Sequence, residues 1–279
     1  RGSVPGLAVG GLRVDRVIYD TTISQLGYGC LSSADCYSQV IILAMNCRHA
    51  WTTNWSNGES VGSTDIRHGP MLGARVTGTA MFCHGASIDT HSDAVGCLIY
   101  GMELVGSFNG QTAISSAFQV RGEDNTVVSC KGYNCLYAGQ LFENTIDGSR
   151  RNVIADVHID SKLGGLFVNG LTSSTRKPTF IVRDSTFRFG GNFFVQLKHA
   201  QLSLDNVRLI PVGSVNGDII LSNGISSPGN GWCKGSIKVS KEETTGAWTL
   251  HNMGGTGNKI EVKVENDDFA LAAADAALT

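Results

Sequence analysis

Short runs of alternating apolar and polar residues fill most of this chain, and the runs come in pairs. Residues 117–122 alternate, pass through Glu123-Asp124-Asn125, and lead into a second run at 126–130. The same unit recurs as 140–144 with 152–157, 166–170 with 179–183, and 193–196 with 202–206. It continues as 218–221 with 236–239 and as 248–250 with 259–262. Toward the N-terminus, 87–91 goes with 97–100 and 29–32 with 40–43. Alternation with a period of two is the signature of a strand that buries one side.

Successive units are offset by about 22 to 35 residues, the range of stacked repeats. One such unit cannot cover its own apolar side, but coils stacked on one another share a continuous core. The pattern predicts an all-β fold, a right-handed single-stranded parallel β-helix (solenoid). A jelly roll or other β-sandwich is the structural runner-up, since it also has many short strands. No long amphipathic helical stretch occurs before the Ala-rich residues 270–274, so a βαβ fold is not expected. The domain reading is a lead-in or cloning remnant at 1–10, one β-helix domain over 11–266, and a frayed or truncated Ala-rich tail at 267–279. Residues 51–64, with two tryptophans, read as a polar surface insertion, and Asn125, Asn152 and Asn258 as turn residues in left-handed backbone.

Composition agrees with short strands and tight turns. The chain has 35 glycines and only 16% charged residues. Its 22 Lys and Arg against 24 Asp and Glu leave a net charge of −2, a poor footprint for phosphate backbones or anionic lipid. No nucleic-acid partner, membrane insertion, metal or cofactor is expected. Several of the eight cysteines (Cys97 and Cys130 among them) fall at strand positions, where they read as reduced, buried apolar side chains. That suits an assembly made in a reducing cytoplasm and used outside the cell.

Extending one strand register from coil to coil gives a map of outward positions, because equivalent residues stack about 4.8 Å apart. One ladder reads His91, Arg121, Glu143, Asn169, Gln196; its neighbour reads Asp89, Gln119, Leu141, Phe167, Phe194. In this map Gln140 points inward and Leu141 outward. The first ladder offers hydrogen-bonding groups, and the second becomes aromatic, a combination suited to an extended sugar chain. Asp89, His91, Arg121 and Glu143 are the catalytic candidates. His91 beside a carboxylate can act as general acid or base. Arg121 can hold an acidic sugar through paired hydrogen bonds. Two carboxylates across a glycosidic bond would instead give hydrolysis. Gln119, Phe167, Asn169, Phe194 and Gln196 are candidate substrate contacts. Asp156, His158 and Asp160, alternating on a second strand, read as an exposed charged strand.

The order Arg67-His68, then Asp89-Thr90-His91, then Gln119-Val120-Arg121-Gly122 resembles the pectate-lyase-like β-helix domains of bacteriophage tailspike and tail-fibre proteins. The resemblance extends over about 65–240 at coil level, with its sharp motifs confined to 67–122. It implies a homotrimeric module of the virion tail, acting outside the cell, that binds and depolymerises a bacterial capsule or lipopolysaccharide. It also adds Arg67 and His68 to the substrate contacts. The aspartate set by which pectate lyases hold calcium is not identifiable, and no head-attachment region precedes the repeats, so the chain reads as a fragment or a shortened relative. The expected function is polysaccharide depolymerisation, by hydrolysis or β-elimination. The alternatives are a non-catalytic adhesin or structural spike, and a secreted bacterial lyase.

Overall fold

The structure is a computed structural model that describes residues 8–9, 17–20, 28–32, 37–53, 71–92, 94–107, 115–143, 148–222, 231–240, 242–253 and 259–265. Every regular element among these is a β-strand, and stacked coils pair in parallel, as the alternation predicts. The chain is a parallel β-solenoid.

Three faces enclose one core. The first is an aliphatic ladder running Val40, Val76, Ile99, Val127, Ile154, Val182, Leu204. The second runs Ala44, Ala80, Leu104, Gly132, Ile159, Phe187, Leu209. The third runs Trp51, Ile88, Phe118, Gly139, Leu166, Val195, Ile220. Branched and aromatic side chains suit these positions because they pack well on a half-buried pleat.

Two strands per coil were expected, and the structure has three long faces and a short fourth stack formed by Met71–Leu72, Ala94–Val95, Gly122–Glu123 and Ser149–Arg150. The added long face hides inside long continuous strands such as Lys131–Phe142 and His158–Asn169, which serve two faces each. Register shifts between Gly132, Cys135 and Tyr137 carry the first of these around the corner. On the third face the pairing runs one residue earlier than the outward map assumed, with Val120 opposite Leu141. Leu141 is therefore fully buried, and Gln140 stands on the outer side opposite Gln119.

The corners are built by residues in left-handed backbone stacked on one another. Gly96, Asp124 and Arg151 have φ of 66°, 55° and 51°. The Gly96 N–H donates to Glu123 O at 2.9 Å, and that of Asp124 to Arg150 O at 3.0 Å. The asparagines expected in this role lie one residue later and do something else. Asn125 and Asn152 are fully buried and form a ladder along the axis. The Asn152 carboxamide oxygen accepts from Asn125 N at 3.0 Å, and the Asn125 oxygen accepts from Cys97 N at 2.9 Å. Asn125 Nδ2 donates to Ala94 O at 3.0 Å and to Arg121 O at 2.7 Å. Such a satisfied buried network fixes a corner that alternation alone would leave loose. Asn258 lies outside the described residues.

Trp51 is a core residue, fully buried in the strand His49–Thr53, and not part of a surface insertion. The seven described cysteines are buried thiols. Burial pushes the thiols of Cys83 and Cys135 up to about 12 and that of Cys130 to about 11, which keeps them protonated and inert.

On the third face a large residue stands over a small one, Phe118 over Gly139. A Cβ added at Gly139 would lie 2.2 Å from the Phe118 ring, which fills the space above that glycine. Gly139→Ala should therefore lower stability by about 1–3 kcal/mol, the usual cost of overpacking. Urea denaturation measures this, and an unchanged midpoint would contradict the stacking of Phe118 on Gly139.

Candidate functional site

The strands His49–Thr53, Ile88–Asp89 and Ser116–Val120 lie on successive coils of the third face. Trp51, Ile88 and Phe118 point into the core, so Thr52, Asp89 and Gln119 stand on the outer side. Although it faces outward, Asp89 is only 1% exposed, and His91 and Arg121 are 6% exposed each.

A buried carboxylate needs partners, because an unpaired charge away from water costs several kcal/mol. Asp89 has a full set. Its Oδ1 accepts from Arg121 Nη2, and its Oδ2 accepts from Thr52 Oγ1 at 3.0 Å and lies 3.0 Å from His91 Nε2. His49 Nε2 is 3.9 Å from the same oxygen. The surrounding backbone holds these groups in turn. Arg121 Nε donates to Thr90 O at 2.8 Å, Thr90 Oγ1 donates to Arg121 O at 2.8 Å, and His91 N donates to Thr53 Oγ1 at 2.6 Å. Gly122 follows Arg121 with a φ of 81°, and a Cβ there would lie 2.2 Å from Ala94 O. The turn that ends the Arg121 strand thus requires glycine.

Burial alone would raise the Asp89 carboxyl. Arg121, followed by His91 and His49, outweighs burial and holds it well below the usual carboxylate range. Burial lowers His91 to about 4 against the opposing pull of Asp89, and lowers His49 in the same way. Both imidazoles are therefore neutral at pH 7, and the formal charge of the cluster is that of one ion pair, zero. An ionised Asp89 only accepts, so His91 carries its hydrogen on Nε2. His49 Nδ1 lies 2.5 Å from Ala86 O and carries its hydrogen there.

The consequences differ by residue. Asp89 has both oxygens engaged and is placed to orient rather than to attack. Arg121 stacks over the Phe142 ring at 5.0 Å, and its Nη1 has no partner among the described residues. Gln119, 8% exposed, likewise has no side-chain partner among them. The structure therefore brings Asp89, His91, Arg121 and Gln119 together. It does not join Glu143 to them. Val120 stands opposite Leu141, which places Phe142, not Glu143, beside Arg121. Glu143 Oε2 accepts from Leu171 N at 3.0 Å and Ser174 Oγ at 2.6 Å, and its buried Oε1 has no partner. Asp89 and Glu143 therefore do not form a pair of carboxylates facing each other across a sugar bond.

The outer ladder reads Thr52, Asp89, Gln119, Gln140, Phe167, Gln196. Phe167, Asn169 and Gln196 face outward as expected, but Gln196 stacks on Phe167 and not on Asn169, which pairs with Lys198. Phe194 does not: it is fully buried, with its ring centroid 5.2 Å from that of Phe187 and 5.5 Å from that of Phe189. Arg67 and His68 lie outside the described residues. Asp156, His158 and Asp160 do not form one row. Asp156 sits at a corner with φ 49° and accepts from Ser129 Oγ, while Asp160 pairs with Arg188 at 3.0 Å. Sequence reasoning missed His49, Thr52, Thr53 and Thr90. The signal was present, since His49-Ala50-Trp51-Thr52-Thr53 repeats the alternation of Ser87-Ile88-Asp89 one coil earlier.

No protein-family model matches the chain. Among solved structures, it is similar to the Streptococcus pneumoniae surface protein and adhesin PfbA, at 10% identity and a TM-score of 0.29, covering 89% of this chain and 91% of that one. Similarity at that level carries no argument about activity, and the fold rests on the strand pairing.

The cluster makes stability pH-dependent. With His91 at about 4 when folded and 6.5 when unfolded, the unfolded chain takes up protons first as the pH falls. Stability is then lost between pH 6.5 and 4, by about 3 kcal/mol from His91. Asp89, lowered by its partners, continues the loss below its ordinary value. Thermal midpoints of wild type and His91→Gln from pH 7.5 to 4.5 measure this. The variant should lose much of the slope, and parallel curves would contradict the assignment.

Proposed function

We propose that this chain is a β-helix module that binds a bacterial surface polysaccharide on its third face. One observation carries the reading. Side chains with hydrogen-bonding capacity collect on the outer side of neighbouring coils, where a charge-neutral cluster holds them rigid. The Gln119 amide and Arg121 Nη1 remain for a ligand. Sugar hydroxyls both donate and accept, and a preordered amide and guanidinium meet them at little entropic cost. The proposal extends to a tailspike-type homotrimer at the virion tail, in line with the Asp89-Thr90-His91 and Gln119-Val120-Arg121-Gly122 motifs.

The Asp89–His91 pair favours a second reading, in which the bound glycan is also cut. A carboxylate that fixes the tautomer of a neutral imidazole is an arrangement for proton transfer. With Asp89 fully engaged and Glu143 bound to other partners, β-elimination fits this geometry better than hydrolysis by paired carboxylates. His91 would then take the proton lost from the sugar carbon as the glycosidic C–O bond breaks and C=C forms, with the departing oxygen protonated from water.

Mass spectrometry of soluble products from a panel of capsules and lipopolysaccharides tests both readings. Cleavage by elimination should give unsaturated ends, and His91→Ala should abolish it while leaving glycan binding within a few-fold of wild type. Products carrying an added water would contradict the elimination route. Absence of both binding and cleavage would remove the glycan reading altogether.

A further inference from the structure

Two coils from Gln119, the same outer ladder changes character. Phe167 stands in register above Gln140, which stands above Gln119. Its ring meets Tyr137 edge-on, with centroids 4.9 Å apart at 65°, and Phe193 at 5.3 Å and 66°. The outer rings of Tyr137 and Phe193 lie nearly parallel, 6.4 Å apart. Tyr137 and Phe167 are half-buried, and Phe193 is 8% exposed. Leu166, Val168 and Val195 fill the inward positions beside them, and none of Tyr137, Phe167 and Phe193 belongs to the core cluster. Polar groups border the rings. Gln196 follows Phe167 on the ladder, and Asn169 lies two residues along the same strand. The side-chain amides of Gln196 and Asn169 carry no hydrogen bond among the described residues, and both residues are half-buried.

We propose that Phe167, supported by Tyr137 and Phe193, is a stacking subsite for a sugar ring with an apolar C–H face, with the Gln196 and Asn169 amides reading its hydroxyls. This rests on the glycan-binding reading above and specifies it. Ring edges and faces present partial charges that favour C–H contact, and the amides supply the direction that stacking lacks. Register sets the path of the glycan. Gln119 and Phe167 are two coil spacings apart, about 10 Å, a span that a disaccharide covers. A glycan joining them runs along the solenoid axis, crossing strands rather than following one. Its unit at Gln119 and Arg121 meets polar groups, and its unit at Phe167 meets an aromatic surface. A heteropolysaccharide with alternating polar and less polar sugars matches that order.

The test uses one array of capsule and lipopolysaccharide oligosaccharides, graded from single sugars upward, probed with wild type, Phe167→Ala and Gln196→Ala. Wild type should bind disaccharides and longer members, with single sugars below detection. Phe167→Ala should bind them about tenfold more weakly, the usual cost of one stacked ring, and Gln196→Ala several-fold more weakly. Thermal melting checks that each variant is folded, and Gln196→Ala decides the matter if Phe167→Ala is not. Wild-type-like binding by a folded variant pair would overturn the subsite while leaving glycan binding intact. If wild type bound no member of the array, subsite and glycan reading would fall together.

Discussion

Every residue on the faces of this protein stands on its equivalent in the coil below, about 4.8 Å away, and that constraint shapes the rest. On the inside it demands complementary sizes along the axis, which is why Phe118 stands over Gly139 and a ladder of branched residues runs from Val40 to Leu204. At the corners it lets buried asparagines bond from coil to coil. On the outside it turns single side chains into rows, and function in such a fold is written as a row rather than a pocket.

The Asp89–Arg121 pair shows what the row makes possible. Two residues 32 positions apart in sequence meet because their coils are adjacent. The pair is buried on an outer face, where a charge with no partner would be costly, and Thr52, Thr90 and two histidines complete its surroundings. The result is a neutral, rigid patch rather than a strongly charged one. Electrostatic attraction therefore plays no part in the proposed recognition. Its contribution is fixed geometry, which leaves one edge of Arg121 and the Gln119 amide facing outward, and it continues along the axis into the aromatic trio around Phe167.

Most of the solenoid was legible because its runs alternate with a period of two and recur at a repeat-sized offset. The pairing of Asp89 with Gln119 followed directly from that pattern. What escaped lies where alternation breaks. On the third face Gln119 pairs with Gln140, one residue earlier than the spacing of the runs suggested, so Gln140 took the outer place assigned to Leu141. Glu143 consequently bonds to Leu171 and Ser174 instead of joining Arg121. Phe194 was misplaced because a residue at a corner can point inward whatever its parity, and it packs against Phe187 and Phe189. His49 and Thr52 were overlooked because polar residues around Trp51 resemble a loop, although Trp51 itself belongs to the core.

In the proposed function a glycan lies on the outer row, anchored by groups that the Asp89 cluster holds in place. A crystal structure of the chain soaked with an oligosaccharide of its bound polysaccharide tests this most directly. Sugar density is expected along the axis, against Gln119 and Arg121 Nη1 at one end and Phe167 at the other, with the Asp89–Arg121 pair unbroken. Sugar density on either of the other two faces, with the third face bare, would contradict it.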